Sequence, residues 1–450
     1  MTLIDDASVT GEVTELLQGL IRNACVNDGT AESGGEARSA DLLADYLHGA
    51  GADVERYEPT PGRESLVARI EGSNPDAPTL VLMGHTDVVP VTPEHWDRDP
   101  FGGELIDGEV WGRGAVDMLN LTASMAVATK RLAEQGWAPE GTLVYFAVAD
   151  EEAAGIHGAG WMLDHERDAV IGDYVVTESG GIPIPTATGT KLPVIVGEKG
   201  IYWCTLRVTG TAGHGSQPFR TDNALVKAAE VVRRLAAYQP PTTIHEIWRR
   251  FVEGVEFPEG LSAPFLDPDG FMDLVENLPM VGLARQAHAC THTTFAPTMV
   301  RGGVKHNVIP DEVDVAIDIR TLPGQTGDDV RAMLDDALGD LRDDVEVRVD
   351  IEETSTASPI DSPLWDILQR AAEAITPGAR NVPFMTVGGT DARFYRRLGI
   401  PAYGYGLFSE RITFDQFAAM FHGDNERVDQ ESLRLSTVLW DAVARDVLAP

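Results

Sequence analysis

Cysteine is nearly missing from this chain: three occur in 450 residues, Cys25, Cys204 and Cys290, an odd number at wide spacing. That excludes a disulfide framework and fits a reducing compartment, each thiol serving as a small buried hydrophobe. Cations are scarce too. Lys and Arg total 35 against 71 Asp and Glu, a formal charge of -36, which opposes nucleic-acid phosphates and anionic lipid as partners. Long apolar runs are absent. The longest, such as residues 143–149, are strand-length and end in charge, far below the roughly 20 residues that span a bilayer. Residues 2–8 carry Asp5 and Asp6 with no basic region leading into an apolar core, so no secretion signal is expected. Together these absences predict a soluble, cytoplasmic protein that meets small molecules or other protein chains.

With 43% hydrophobic and 24% charged residues, the chain can bury sizeable cores and divide into two or three domains. Helical periodicity at 13–21 and 41–47 alternates with short apolar runs at 80–83, 143–149 and 174–176, which read as buried strands. This predicts an α/β sheet with helices on both faces. From residue 201 the order becomes strand (202–208), helix (223–237), two strands (around 307–310 and 313–319), helix (328–341) and strand (345–351), that of a ferredoxin-like β-α-β-β-α-β unit. Residues 239–298, rich in Pro and aromatics, read as an irregular insertion serving as a cap or interface. After 358 the α/β texture returns, with a helix at 364–374, a strand near 401–405 and a closing helix at 431–447. The expected division is 1–198 and 356–450 for the larger unit, with 199–355 inserted.

Chemistry gathers where strands end, the usual site edge of an open α/β sheet. Val81-Leu82-Met83 runs into Gly84-His85-Thr86-Asp87, and Asp87 can hold the His85 ring from behind. Taken alone, that motif reads equally well as a solvated loop histidine. Trp111-Gly112-Arg113-Gly114-Ala115-Val116-Asp117 puts an acid before a small-residue helix at 122–132. Its glycines do not make a dinucleotide site, because Asp117 stands where the third glycine belongs. The run 143–149 ends in Asp150-Glu151-Glu152, and Tyr174-Val175-Val176-Thr177 ends in Glu178. Adjacent acids raise one another's pKa unless a cation relieves them. Late in the chain, Phe421-His422-Gly423-Asp424-Asn425-Glu426 supplies a second histidine.

His85, Asp117, Glu152, Glu178 and His422 thus make a two-metal set. Three carboxylates leave a single Zn²⁺ net negative, whereas two Zn²⁺ leave about one positive charge for a hydroxide to neutralise. Nitrogen and oxygen donors without thiolate suit catalytic Zn²⁺, with Co²⁺ or Mn²⁺ also compatible.

With these motifs the chain resembles the di-zinc amidohydrolases and exopeptidases that include aminoacylase, acetylornithine deacetylase, succinyl-diaminopimelate desuccinylase and glutamate carboxypeptidase, over nearly its whole length. The resemblance implies a zinc-peptidase-like domain, with a mixed sheet flanked by helices, and a ferredoxin-like lid that dimerises. It implies that His85 and Glu178 hold one zinc, that Glu152 and His422 hold the other, and that Asp117 bridges them. Glu151 is then the general base that deprotonates the bridging water, and Asp87 the partner of His85. Position alone leaves open which of Glu151 and Glu152 is the base. Gly210-Thr211-Ala212-Gly213-His214-Gly215-Ser216 resembles the lid motif whose histidine reaches a neighbouring subunit's site, so His214 is expected to stabilise the oxyanion there in a homodimer. Gly302 to Pro310 and Asp318-Ile319-Arg320 look like further lid motifs, with Asn307 and Arg320 binding substrate. A salt bridge from Arg320 to Asp318 or Asp311 is an almost equal reading. Gly388-Gly389-Thr390-Asp391 resembles the substrate-side loop, making Gly389 and Thr390 contacts. The substrate implied is an N-acyl amino acid or a short peptide with a free carboxylate. A dipeptidase or aminopeptidase on the same scaffold, or a non-catalytic binder, is the alternative.

His288-Ala289-Cys290-Thr291-His292 has two histidines four apart, but Ala289 stands where a zinc protease needs Glu, and the Thr-rich flank favours strand. It is expected to pack or to lie on the surface. Leu119-Asn120, where many relatives have Lys-Gly, leaves substrate choice open.

Overall fold

The apolar runs do pair as strands. The computed structural model describes residues 6–258 and 260–449, and its larger sheet has ten strands. Along the main path they lie in the order Asp53–Thr60, Arg63–Ile70, Thr142–Val148, Thr79–His85, Tyr174–Thr177, Ala402–Gly404, Gly189–Glu198 and Thr356–Ala357. Arg380–Thr386 pairs parallel, and Ile184–Thr186 antiparallel, with Gly189–Glu198. The four strands from Thr142–Val148 to Ala402–Gly404 run parallel, so their C-terminal ends meet at one edge. Every residue of Thr142–Val148 is buried, as a strand covered on both faces requires. Helices Asp6–Asn23, Leu119–Glu134, Pro363–Ile375 and Gln430–Val447 cover one face, while Trp161–His165 and Ala392–Arg397 contribute to the other. The molecule is therefore a mixed α/β fold, its sheet flanked by helices.

The smaller sheet is antiparallel, in the order Thr294–Gly302, Glu312–Thr321, Gly200–Thr209, Val345–Glu353. Helices Ala224–Ala237 and Gly327–Leu338 pack on it. One strand differs from expectation. Its second strand is Thr294–Gly302, whereas the 307–310 run gives only a two-residue strand, Val308–Ile309, paired with Gly213–His214. Thr294–Gly302 is an edge strand, where the donor that Pro297 lacks is not needed.

Residues 239–298 are not irregular. Helices Glu246–Val255, Ser262–Phe265, Phe271–Asn277 and Val281–Thr291 fill most of the segment. Its aromatics form a core, with Trp248, Phe251, Phe265 and Phe271 clustering against Ile195, Val382 and Phe384 of the larger sheet. Scattered Pro and Phe hid a set of short helices, the first three of which bury Trp248 and Phe251, Phe265, and Phe271. His288 to Thr291 are thus helical, and the Thr-rich flank that follows becomes the strand Thr294–Gly302. The three cysteines are free and buried, and among the described residues no helix is long and apolar enough to cross a membrane.

Candidate metal centre

His85 ends its strand, Glu151 and Glu152 form the turn after Thr142–Val148, and Glu178 follows Tyr174–Thr177. Asp117 immediately precedes the helix Leu119–Glu134, and His422 follows the helix Phe414–Met420 in a left-handed conformation (φ 56°). Close packing brings the first helix in. A Cβ on Gly84 would sit 2.5 Å from Thr122 Oγ1, and that hydroxyl donates to His85 O at 2.8 Å. Glycine here lets the helix and the strand end touch.

Asp117 lies between the two imidazoles. His85 Nε2 is 3.2 Å from its Oδ1, and His422 Nε2 is 3.0 Å from its Oδ2. Glu178 Oε2 stands 3.9 Å from His85 Nε2, and Glu152 Oε2 stands 3.4 Å from His422 Nε2. Donor atoms of His85, Glu151 and Glu178 lie within 4.8 Å of one another, as do those of His85, Asp117 and Glu152. The five expected ligands and Glu151 therefore converge. Burial and the neighbouring Glu178 charge push the Glu151 carboxyl well above the ordinary range, and burial raises Glu178 and Glu152 likewise. Burial also works to raise Asp117, but hydrogen bonds from His422 and His85 overcome it and hold it well below the ordinary range. The same contacts, with Asp117 first and Glu152 next, lift His422 to about 10.

This donor set fits divalent cations. Four carboxylates face two imidazoles, and buried Glu152 Oε1 has no hydrogen-bond partner, a costly state for a buried acceptor unless an ion engages it.

Asp87 corrects one expectation. The His85 Nδ1–H donates to the Asp87 backbone carbonyl at 2.9 Å, while the nearer carboxylate oxygen stands 3.7 Å away. The Asp87 carboxylate instead accepts from Asn27 Nδ2 (2.8 Å) and from the backbone N–H groups of Glu151 (3.2 Å) and Glu152 (3.0 Å). It fixes the acidic turn, and the carbonyl fixes the ring, leaving Nε2 toward the cage.

A cleft of about 720 Å³ opens on this centre, lined by Asp117, Glu151, Glu152, Glu178 and His422 together with Arg320, Gly389 and Thr390. Arg320 is engaged by Asp318 through both fork nitrogens (2.7 and 3.1 Å) and stacks over Trp203. Thr390 is also committed, since its N–H and hydroxyl donate to Glu198 Oε2 at 2.8 and 2.7 Å. His214 and Asn307 do not line the cleft. Both are exposed, at the paired Gly213–His214 and Val308–Ile309 strands beyond the smaller sheet, so within one copy neither contributes to the centre.

Glu426 has a role the sequence reading did not assign. Its Oε1 accepts from Val116 N (2.7 Å) and Asp117 N (3.0 Å), and its Oε2 from Gly114 N (2.9 Å) and Arg113 Nη1 (2.7 Å). Burial, against the pull of Arg113, pushes this carboxyl up to about 7. Its position four residues after His422 was visible, but a carboxylate that holds backbone leaves no mark in spacing.

The model of the peptidase family M20/M25/M40 matches residues 81–446. The chain belongs to that family. Among its M20/M25/M40 relatives, a succinyl-diaminopimelate desuccinylase of Methylobacterium sp. (strain 4-46) is 30% identical over 90% of this chain and 93% of that protein. An N-fatty-acyl-amino acid synthase/hydrolase of Xenopus tropicalis is 27% identical over 83% of this chain and 73% of its own. The fold matches an M20 family metallo-carboxypeptidase from Sulfolobus solfataricus with a TM-score of 0.72 at 17% identity, covering 98% of this chain and all of the other (100%).

Proposed function

We propose that this chain hydrolyses the amide bond of an N-acyl amino acid, or of a short peptide with a free carboxylate. The observation that carries the reading is Asp117, which offers one carboxylate oxygen toward each imidazole, as a ligand shared by two cations would. His85 and Glu178 would hold one cation and Glu152 and His422 the other. Zn²⁺ suits these donors, and Co²⁺ or Mn²⁺ can serve. When bound, such a pair supplies a water of lowered pKa and polarises the substrate carbonyl.

The chain's own residues do the rest. Glu151, whose carboxyl is raised by burial and by Glu178, takes the water's proton and passes it to the departing nitrogen as a general base. Asp87 orders the turn that presents Glu151, and Glu426 orders the loop that presents Asp117. Arg320, beside Trp203 in the cleft, binds the substrate carboxylate by exchanging one contact with Asp318. The Gly388 to Thr390 backbone, tied to Glu198, forms the substrate-side wall. The exposure of His214 and Asn307 supports a homodimer in which His214 of a second copy donates to the developing oxyanion. The edge strand Thr294–Gly302, with Met299 and Val300 about half exposed, supplies an edge for that pairing. The net charge of -36 leaves small molecules, not nucleic acid or membrane, as substrates.

The test is metal content per chain together with hydrolysis of N-acetyl, N-succinyl and N-formyl amino acids and dipeptides, before and after chelation. Two ions per chain, and activity lost on chelation and restored by Zn²⁺ or Co²⁺, are expected. Activity that survives thorough chelation overturns the reading.

A further inference from the structure

The helical segment 246–291 and the larger sheet enclose a second cavity of about 260 Å³ that the chemistry above does not use. Its wall is nearly all apolar, with Trp248, Phe251, Val255 and Leu283 from the helices facing Ile184 and Phe384. The charged lining residues are both acids, Glu410 and Asp415. Gln286, Phe384 and Phe414 line this cavity and the metal cleft alike, so the two spaces share a wall. Two elements run from one to the other. The helix Phe414–Met420 begins at the apolar cavity and ends just before His422, seven residues or about 10 Å of rise. The strand Arg380–Thr386 carries Phe384 in the shared wall and leads to Gly388, Gly389 and Thr390 in the cleft.

We infer that this cavity is the subsite for an uncharged apolar arm of the substrate, the alkyl or aryl chain of its acyl group. The inference rests on the amidohydrolase reading above. Apolar pockets of this kind bind by removing hydrocarbon from water. The cationic side chains of the cleft are Arg320 and Arg393, while the shared wall carries none. A substrate anchored by its carboxylate at Arg320 therefore turns its acyl arm, not its charged end, toward Phe384 and Phe414. Glu410 and Asp415 repel a second carboxylate, which disfavours a dicarboxylic arm. An alkyl chain of medium length or an aryl ring suits a cavity of this size.

The same apolar chemistry can come from the amino-acid side chain, and the experiment separates the two. The metal-loaded enzyme is assayed on N-acyl glycines from acetyl to dodecanoyl, on N-acetyl amino acids with lengthening side chains, and on N-succinyl glycine. In the acyl series kcat/KM should rise about fourfold per methylene and level off once the cavity is filled. The side-chain series should stay flat, and succinyl should fall below butanoyl. Leu283→Trp, which fills the cavity from a half-buried position, should cut the octanoyl advantage at least about 30-fold while N-acetylglycine hydrolysis is retained. Ile184→Asp should act in the same direction. A flat acyl series, a rise confined to the side-chain series, or variants that lower acetyl and octanoyl substrates equally would overturn the inference. If no N-acyl compound is cleaved, the amidohydrolase reading fails by itself. Octanoate binding, followed by displacement of an environment-sensitive dye, then decides the subsite: loss in Leu283→Trp supports it, and absence from wild type overturns it.

Discussion

Two histidine pairs in this molecule have opposite fates. His85 and His422 lie far apart in sequence and share the Asp117 carboxylate. His288 and His292 lie one helical turn apart, their rings stacked 4.4 Å centroid to centroid at an interplanar angle of 3°. Carboxylates pull the first pair toward the protonated state, or toward cations in place of protons. Burial drives the second pair the other way, His292 to about 4, helped by the charges of His288 and Lys199. His292 Nε2 meets the Thr242 hydroxyl at 2.9 Å, and Lys199 Nζ donates to the carbonyls of Ala289 and His292. Spacing alone favours the second pair as a metal site. What surrounds each ring decides otherwise, because an imidazole recruits a cation only where negative charge needs one.

The largest expected effect tests the first pair's surroundings. Glu151→Gln should lower kcat/KM by about 100- to 10,000-fold with metal content unchanged. A loss under tenfold would show that Glu151 is not the base. Next is Glu426→Gln, which gives up acceptors for the Asp117 loop and should weaken metal affinity by about 10- to 100-fold, read by metal titration with a competing chelator. Unchanged affinity would mean the loop holds its shape alone. The second pair should respond in stability only. His292→Gln should cost about 1–3 kcal/mol of unfolding free energy in denaturant titration and leave metal content intact; a lost metal would erase the contrast. The folded His292 pKa lies below its ordinary 6.5, so its contribution is complete above pH 6.5 and is lost as pH falls toward about 4. That acid-side slope should shrink in the variant. His288→Ala, at the half-buried ring of the stack, should cost about 0.5 kcal/mol or less.

Much of the site was legible because apolar strands that end in His or Glu carry two signals at once, burial and then charge. His85, Glu151, Glu152 and Glu178 all follow such runs. Three features were not legible. Proline hid the edge strand Thr294–Gly302, and short aromatic helices resembled loop across 246–291. The commitment of Asp87 to backbone N–H groups depends on tertiary approach, whereas the Arg320–Asp318 pair, two residues apart on one strand, was among the readings the sequence offered. Glu426 shows the limit most plainly, since a carboxylate that grips backbone N–H groups some 310 positions away has no local periodicity to betray it.

That grip also sets a timetable. The Asp117 loop is held by a residue some 310 positions later, beside His422 and just before the helix Gln430–Val447. A ribosome that has passed residue 404 has made every strand of the larger sheet, with acids at its rim, and no finished receptacle for ions. Loading must therefore wait until His422 and Glu426 have emerged, and a chain stopped before them would be inert however well its strands had paired.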